Sequence, residues 1–403
     1  MSKLNELIAK LCPYGVEYRE LGAFAQNEKK KNIGEHCKLA YSITQAGLIP
    51  TSEYFKGAKV TSDDTSGYRI VKRNWFVYSP SRIDVGSINY LRDKDEVIVS
   101  PLNVVFSVNE TEIRPDYLLY FLNSRSGTWQ IITSREGIEG TGRKLLPFDK
   151  FKKIIVPVPP LPVQAELVRI LDNFTELTAE LTAELTARKK QYEYYRDSLL
   201  KCDSSAEWKS MGEIGNFIRG RRFVHADDRQ NGIPCIHYGE LYTHYGISAT
   251  NVKTYINPEL KTNFRYAKKN DVVIVAAGEN KVDIGVGVAW LGNYDVAIHD
   301  ACFIFCHNQN PKYISYFLRT EMFHQQIIKF VSEGKICSIS ANGLAKAKIP
   351  LPPLAEQQRI VTILDHFDTL CNDISTGLPA EIAARQKQYE YYRDKLLSFQ
   401  ELT

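Results

Sequence analysis

The sequence predicts an α+β protein built twice: two homologous β-rich domains separated by long helices that form an antiparallel coiled coil, arranged as a pseudo-twofold internal repeat. Two observations carry this. Gln191-Tyr-Glu-Tyr-Tyr-Arg-Asp197 recurs as Gln388-Tyr-Glu-Tyr-Tyr-Arg-Asp394, and short strand-like runs give way in each half to a long stretch of helical heptads. The duplication extends well beyond the heptapeptide. Pro157-Val-Pro-Pro-Leu161, Ile170-Leu-Asp172 and Phe174 reappear as Pro350-Leu-Pro-Pro-Leu354, Ile363-Leu-Asp365 and Phe367. Pro115-Asp-Tyr-Leu-Leu-Tyr-Phe-Leu122 matches Pro311-Lys-Tyr-Ile-Ser-Tyr-Phe-Leu318, Asp84-Val-Gly86 matches Asp283-Ile-Gly285, and Glu17-Tyr-Arg-Glu-Leu-Gly22 loosely matches Glu207-Trp-Lys-Ser-Met-Gly212. The offset drifts between 190 (Glu17 to Glu207) and 199 (Asp84 to Asp283). The repeating unit is therefore a whole domain plus a tail, not a solenoid turn.

The elements follow in order. A first β-rich domain with its N-terminal segment is expected over 1–156, with strands at Glu96–Ser100 and Val104–Val108 and a short helix around 115–123. Over 157–201 the chain reads as a helical spacer. Its helix, 163–200, begins with Pro162 in the first turn and carries two heptad rows. These are Leu171, Thr178, Leu185, Tyr192, Leu199 and Leu167, Phe174, Leu181, Arg188, Tyr195, the stripe of a coiled-coil seam. Such a helix would run roughly 57 Å at 1.5 Å per residue, too long for the interior of one small domain. A second β-rich domain follows over 202–349, with strands at Asp271–Ala276 and Cys302–Phe305 and a helix around 311–320. The last segment, 350–403, is a second helical spacer. Gly377 and Pro379 divide its helical stretch, 355–399, into two, with Gly expected as a C-terminal cap and Pro in the first turn of the next helix. This tail is the predicted antiparallel partner of the first.

At 403 residues and 44% hydrophobic content, the chain is long enough for two or three domains with real cores. It has no Arg-rich leader, signal-peptide core or bilayer-length apolar run, so the expectation is a soluble, cytoplasmic protein with no membrane partner. A net charge of +4 discriminates little. Eight cysteines show no Cys-x-x-Cys spacing. Cys302 and Cys306 fall on one face of a strand and read as buried reduced thiols rather than a zinc half-site.

No enzyme signature is legible. Gly137-Ile-Glu-Gly-Thr-Gly142 is followed by Arg143-Lys144 instead of the Lys-Ser or Lys-Thr of a phosphate loop, Gly285-Val-Gly287 has Trp290 where a third Gly is required, and no two histidines stand at His-x-x-x-His spacing. Catalytic, cofactor and metal residues are all expected to be absent. The domains share polar and basic loops interleaved with aromatics, which suit phosphates and base edges of duplex DNA. In the first domain the candidates are Lys29, Lys30, Lys31, Tyr41, Thr44, Gln45, Arg82, Arg135, Arg143 and Lys144. In the second they are Arg219, Arg221, Arg222, His237, Tyr238, Tyr242, Lys335, Ser338, Ser340 and Asn342. Any one of them, taken singly, reads more simply as a solvated surface group.

Taken together, the opening Met1-Ser-Lys-Leu-Asn-Glu-Leu7, both Pro-x-Pro-Pro-Leu elements, the Ile-Leu-Asp runs, the tetrads Thr178-Ala-Glu-Leu181 and Thr182-Ala-Glu-Leu185, and both Tyr-rich blocks resemble the specificity subunit of type I restriction-modification systems. The likeness covers essentially the whole chain. One departure is Pro162-Val-Gln-Ala-Glu166 against Ala355-Glu-Gln-Gln-Arg359, which predicts a slightly different helix start. The resemblance implies two target recognition domains, each reading half of an asymmetric, bipartite site in double-stranded DNA. It also implies two methyltransferase subunits, bringing S-adenosylmethionine, and two restriction subunits, bringing ATP and Mg, with no cofactor in this chain. The helix ends, through Tyr192, Tyr195, Arg196, Tyr389, Tyr392 and Arg393, are the expected docking surfaces. Each tetrad advances a helix by about 6 Å and turns it by roughly 40° net, close to one base-pair step. The tetrads are thus expected to act as a ruler, with an unread gap of about six base pairs between half-sites near one helical turn apart. The rival readings are a stand-alone DNA methyltransferase or nuclease, and a coiled-coil scaffold that binds no DNA.

Overall fold

A computed structural model describes residues 2–45, 47–56, 60–137, 142–201, 206–260, 263–373 and 376–402. The chain forms two compact units, 1–181 with 382–403, and 182–381. Composition places boundaries at the ends of the helical tails; contacts instead divide each tail between the units.

In the first unit, one sheet has the antiparallel order Ala25–Glu28, Val104–Val108, Phe76–Tyr78, Ile88–Tyr90. The second runs Gly47–Pro50, Ala40–Thr44, Glu96–Val99, Arg69–Lys72, with Ala40–Thr44 and Glu96–Val99 parallel. The runs Val97–Val99 and Phe76–Tyr78 are wholly buried, and Phe106 stacks on Phe76 at 4.8 Å between ring centroids. Burial of such side chains is what fixes the sheet.

The second unit repeats the order. Gly215–Arg219, Cys302–His307, Val272–Val275 and Gly287–Trp290 form the first sheet, with Ser248–Ala249 added at the edge. Thr254–Ile256, Ile233–Ile236, Val296–Ile298 and Tyr266–Ala267 form the second, with Asp228–Arg229 added, and again the pair 233–236 and 296–298 is parallel. Strand by strand, Ala40–Thr44 corresponds to Ile233–Ile236 and Glu96–Val99 to Val296–Ile298. Cys302 is fully buried and Cys306 half-buried; burial pushes the Cys306 thiol up to about 11, so it is a protonated thiol.

Below the sheets the repeat holds to individual hydrogen bonds. Tyr117 donates its hydroxyl to Pro157 O at 2.9 Å and Tyr313 to Pro350 O at 2.7 Å. Tyr120 reaches Asp172 at 2.6 Å, and Tyr316 reaches Asp365 at 2.8 Å. The expected difference in helix start does not materialise. Gln164 accepts from Arg114 N and donates to Pro159 O, while Gln357 accepts from Asn310 N and donates to Pro352 O. Both amides are buried, so the same buried polar group must be satisfied in the same way in each copy.

The central helix, Leu161–Lys201, is continuous. Between 172 and 190 only 174, 178, 181, 185 and 188 are shielded from solvent, the rows the heptads define. Within the first unit it runs antiparallel to helix Leu378–Leu396: Phe174 stacks on Tyr392 at 5.7 Å, and Leu167 and Leu396 share one core. Within the second unit it pairs antiparallel with helix Leu354–Asn372, Tyr195 stacking on Phe367 at 5.6 Å and Leu200 sharing a core with Leu364. Gly377 works differently from the expectation. The first helix ends at Asn372, and the Gly377 carbonyl accepts from Ala380 N and Glu381 N, so it caps the start of the next helix. A Cβ there would lie 2.5 Å from Thr369 O, which is why the turn requires glycine.

The C-terminal residues close the first unit: Val16 N donates to Gln400 O, Leu402 N to Val16 O and Tyr18 Oη to Phe399 O. Gly15 sits at φ +112°, and a Cβ would meet Gln400 O at 2.7 Å, a position open only to glycine.

Candidate nucleic-acid interface

In the first unit the parallel strand pair sets the site. Both strands run the same way, so the residues that follow their hydrogen-bonded register emerge at one end. Tyr41 and Ser42 from one strand meet Ser100 from beyond the other in a cleft of about 280 Å³, completed by Thr51, Tyr54, Tyr68, Ser79, Arg82, Ser87 and Asn103. Ser42 and Thr51 hydroxyls lie 3.0 Å apart. Arg82 is exposed at the rim, and its guanidinium has no protein partner among the described residues. The cleft thus offers hydroxyls, an amide, aromatic faces and a cation, the chemistry of base-edge and phosphate contact.

The other first-domain candidates are placed differently. Lys29, Lys30 and Lys31 are exposed just after strand Ala25–Glu28, Lys31 bridging to Arg69. Thr44 donates to Gly47 O within its hairpin, and Gln45 donates to Val85 O. Arg135 is a clamp: its guanidinium pairs with Asp84 and donates to Ser81 O at 3.0 Å and Lys144 O at 2.9 Å. With only 12% of its side chain exposed, it holds the Ser81–Asp84 turn rather than presenting charge to a ligand. Arg143 and Lys144 are exposed beside it; residues 138–141 of the glycine-rich stretch lie outside the described residues.

The second unit brings Arg219–Arg222, His237, Tyr238, His299 and Tyr242 together at the corresponding end. Arg219 Nε donates to Asp300 O at 2.8 Å, and Arg221 N to Ile298 O. Phe223 meets His237 and His299 edge-on at 4.8 and 5.2 Å. Tyr238 lies 5.6 Å from His299 and 6.5 Å from Tyr242. Gly220 is forced, since a Cβ would stand 2.2 Å from His299 O. Arg221 and Arg222 remain exposed. Burial lowers the pKa of His299 below the ordinary imidazole value. Burial opposes ionisation of Asp228, yet hydrogen bonds from His225 and His237 hold its pKa below the carboxylate norm.

Ser338 pairs with Ala277 in a short ladder, Lys335 is exposed beside it, and Ser340 accepts Gly343 N–H as the cap of the helix carrying Asn342. Ser100, His299, His225 and Asp228 are functional candidates that residue order did not single out. Strand-like runs locate Ser100, but no local pattern tells which strands run parallel and so which residues meet.

Of the Tyr-rich blocks, Tyr192 is buried at 8% exposure under Arg196, and Tyr389 and Tyr392 pack on the first unit's core with Arg393 over the Tyr389 ring. Tyr195 is partly open, stacked on Phe367. The outward residues are the equivalent Tyr194 and Tyr391, 70% and 62% exposed.

A family model described as the type I restriction modification DNA specificity domain matches twice, at residues 17–188 and 205–384. The chain belongs to this family. It is similar to the EcoR124I/EcoR124II type I restriction enzyme specificity subunit of Escherichia coli, 36% identical over 74% of this chain and 74% of that one. It also resembles a putative type I restriction enzyme specificity subunit of Haemophilus influenzae, 35% identical over 65% and 68% of the two chains. The fold of the specificity family is seen again in a structure described as the basis of complex assembly and conformational transition of the type I R-M system, with TM-score 0.62, 17% identity and 96% and 98% of the chains covered. Among the described residues no helix is long and apolar enough to cross a membrane.

Proposed function

We propose that this chain is the non-catalytic, sequence-reading subunit of a type I restriction-modification complex, with each β-rich domain reading one half of a bipartite duplex site. The observation that supports it best is one strand order used twice with different side chains at the same place: hydroxyls and tyrosines around Ser42 and Ser100, and histidines and arginines around His237 and His299. Equal scaffolds with unequal loops suit two different half-site words. Two methyltransferase subunits supplying S-adenosylmethionine, and two restriction subunits supplying ATP and Mg, are the proposed partners in the cytoplasm. Two equivalent outward tyrosines, Tyr194 and Tyr391, suit two equivalent partners.

The four segments 1–156, 157–201, 202–349 and 350–403 are proposed to divide this work into reading, spacing, reading and spacing. Thr182–Leu185 lies in the continuous helix, so its removal is expected to shorten the unread gap by about one base pair.

Co-expression with the methyltransferase subunit, followed by genome-wide mapping of N6-methyladenine, tests the proposal. A single two-part motif with a fixed gap is expected. Methylation that is the same without this chain overturns it in favour of a scaffold, and methylation by the purified chain alone in favour of a self-sufficient methyltransferase.

A further inference from the structure

Among the described residues, the second unit holds a side-chain cluster that its counterpart lacks. His225 Nδ1 lies 2.9 Å from one oxygen of Asp228, and His237 Nε2 lies 2.9 Å from the other. The three donor atoms all fall within 4.8 Å of one another, and the two imidazoles stack at 4.2 Å between centroids. We infer that His225, Asp228 and His237 form a binding site for a single zinc-type divalent transition-metal ion.

Geometry and charge both support this. Two ligands held tetrahedrally at zinc–nitrogen distances stand about 3.3 Å apart, so the 2.9 Å contacts open slightly, and the wider pairs among the three ligand atoms, all within 4.8 Å, close, to admit the ion. Two imidazoles and one carboxylate form the donor set of zinc, cobalt or nickel, and not of magnesium or calcium, which prefer all-oxygen shells. Two neutral imidazoles and one carboxylate leave one negative charge facing the ion. The surrounding groups are already committed. Glu240 accepts from His237 N and the Thr254 hydroxyl, and His299 Nδ1 accepts from Ala301 N. His237 is anchored at 4% side-chain exposure, whereas His225 is 79% exposed. The site is therefore half built into the sheet and half on the surface, and open to an incoming ion.

The consequence is mechanical. His225 stands two residues after Phe223 at the end of the basic stretch Arg219–Arg222, while Asp228 and His237 belong to the sheet or its edge. An ion across the three would staple the basic stretch to the strand ends. The structurally matching place in the first unit, at Ser42 after the parallel pair, is hydroxylic and has no such ligands among the described residues.

The full chain, stripped with a chelator and dialysed, is to be titrated with zinc by calorimetry and with cobalt(II) by visible absorption. One ion per chain is expected, with the intense cobalt bands of a low-coordinate nitrogen–oxygen site. His225→Ala, a change at the surface that leaves the core untouched, is expected to weaken binding at least tenfold, and Asp228→Asn likewise. Flat titrations of the wild-type chain overturn the inference. So does binding of several ions that His225→Ala leaves unchanged, which would show adsorption at scattered histidines.

Discussion

The two β-rich domains agree where chain geometry leaves no choice and differ where it does. Their strand orders match, their tail helices hold the same buried glutamine in the first turn, and their tyrosines make the same hydrogen bonds to Pro157 and Pro350. At the ends of the parallel strands the likeness stops. Every histidine except His36 lies between 225 and 366, so the second domain carries titratable rings where the first carries hydroxyls. Interior hydrogen bonds and close packing tolerate few substitutions, whereas loop side chains facing solvent are free to diverge.

The comparison can be broken first in the cores. Phe106→Ala and Phe305→Ala remove fully buried rings from corresponding strands and are expected to cost about 3–5 kcal/mol each. Denaturant unfolding should show each change lowering the transition of its own unit; a loss shared equally by both units would contradict the division into two cores.

Acid should separate the domains next. Burial lowers His307 to about 4, with Gln309 N donating to its Nδ1. A folded value below the unfolded one contributes stability that is complete above about 6.5 and lost as pH falls toward 4, at a limiting slope of about 1.4 kcal/mol per pH unit. The matching strand of the first unit ends at Val108. Thermal melts from pH 7 to pH 5 are expected to weaken the second unit selectively, and His307→Gln to flatten that dependence. In the first unit, Arg169, followed by Lys3, holds Glu166 at about 2 despite the opposing effect of burial. Its contribution is present above about 4.5 and fades only as pH approaches 2.

The buried glutamines sharpen the likeness. Gln164→Ala and Gln357→Ala each leave backbone partners unsatisfied and are expected to cost about 1–3 kcal/mol; comparable shifts in denaturation midpoint would show that the two helix starts are energetically equivalent. Smallest is the effect of single rim cations. Arg82→Ala and Arg222→Ala are expected to weaken DNA binding by the assembled complex and each reduce the slope of log affinity against log salt by about one. An unchanged salt slope would remove that residue from the phosphate contacts.

Much of this was legible from residue order alone. The duplication, the helices at Leu161–Lys201 and Leu354–Asn372, the strands around Val97, Phe106, Val273 and Phe303, and the half-buried row at 174, 178, 181, 185 and 188 all follow from periodicity, which is a local property of the chain. Tertiary structure decided the rest. Periodicity cannot tell a parallel from an antiparallel neighbour, so it could not bring Ser42 to Ser100, or His237 to His299. It marks Arg135 as basic without revealing that Asp84, Ser81 and Lys144 engage it. It shows three tyrosines in each block, but which of them face inward depends on the partner helix, and burial there turns Tyr192 and Tyr389 away from solvent and leaves Tyr194 and Tyr391 outside. Local sequence determines what each segment is; which side chains meet is set by pairings between residues distant along the chain, whose free energy comes from surfaces buried only once the chain has folded.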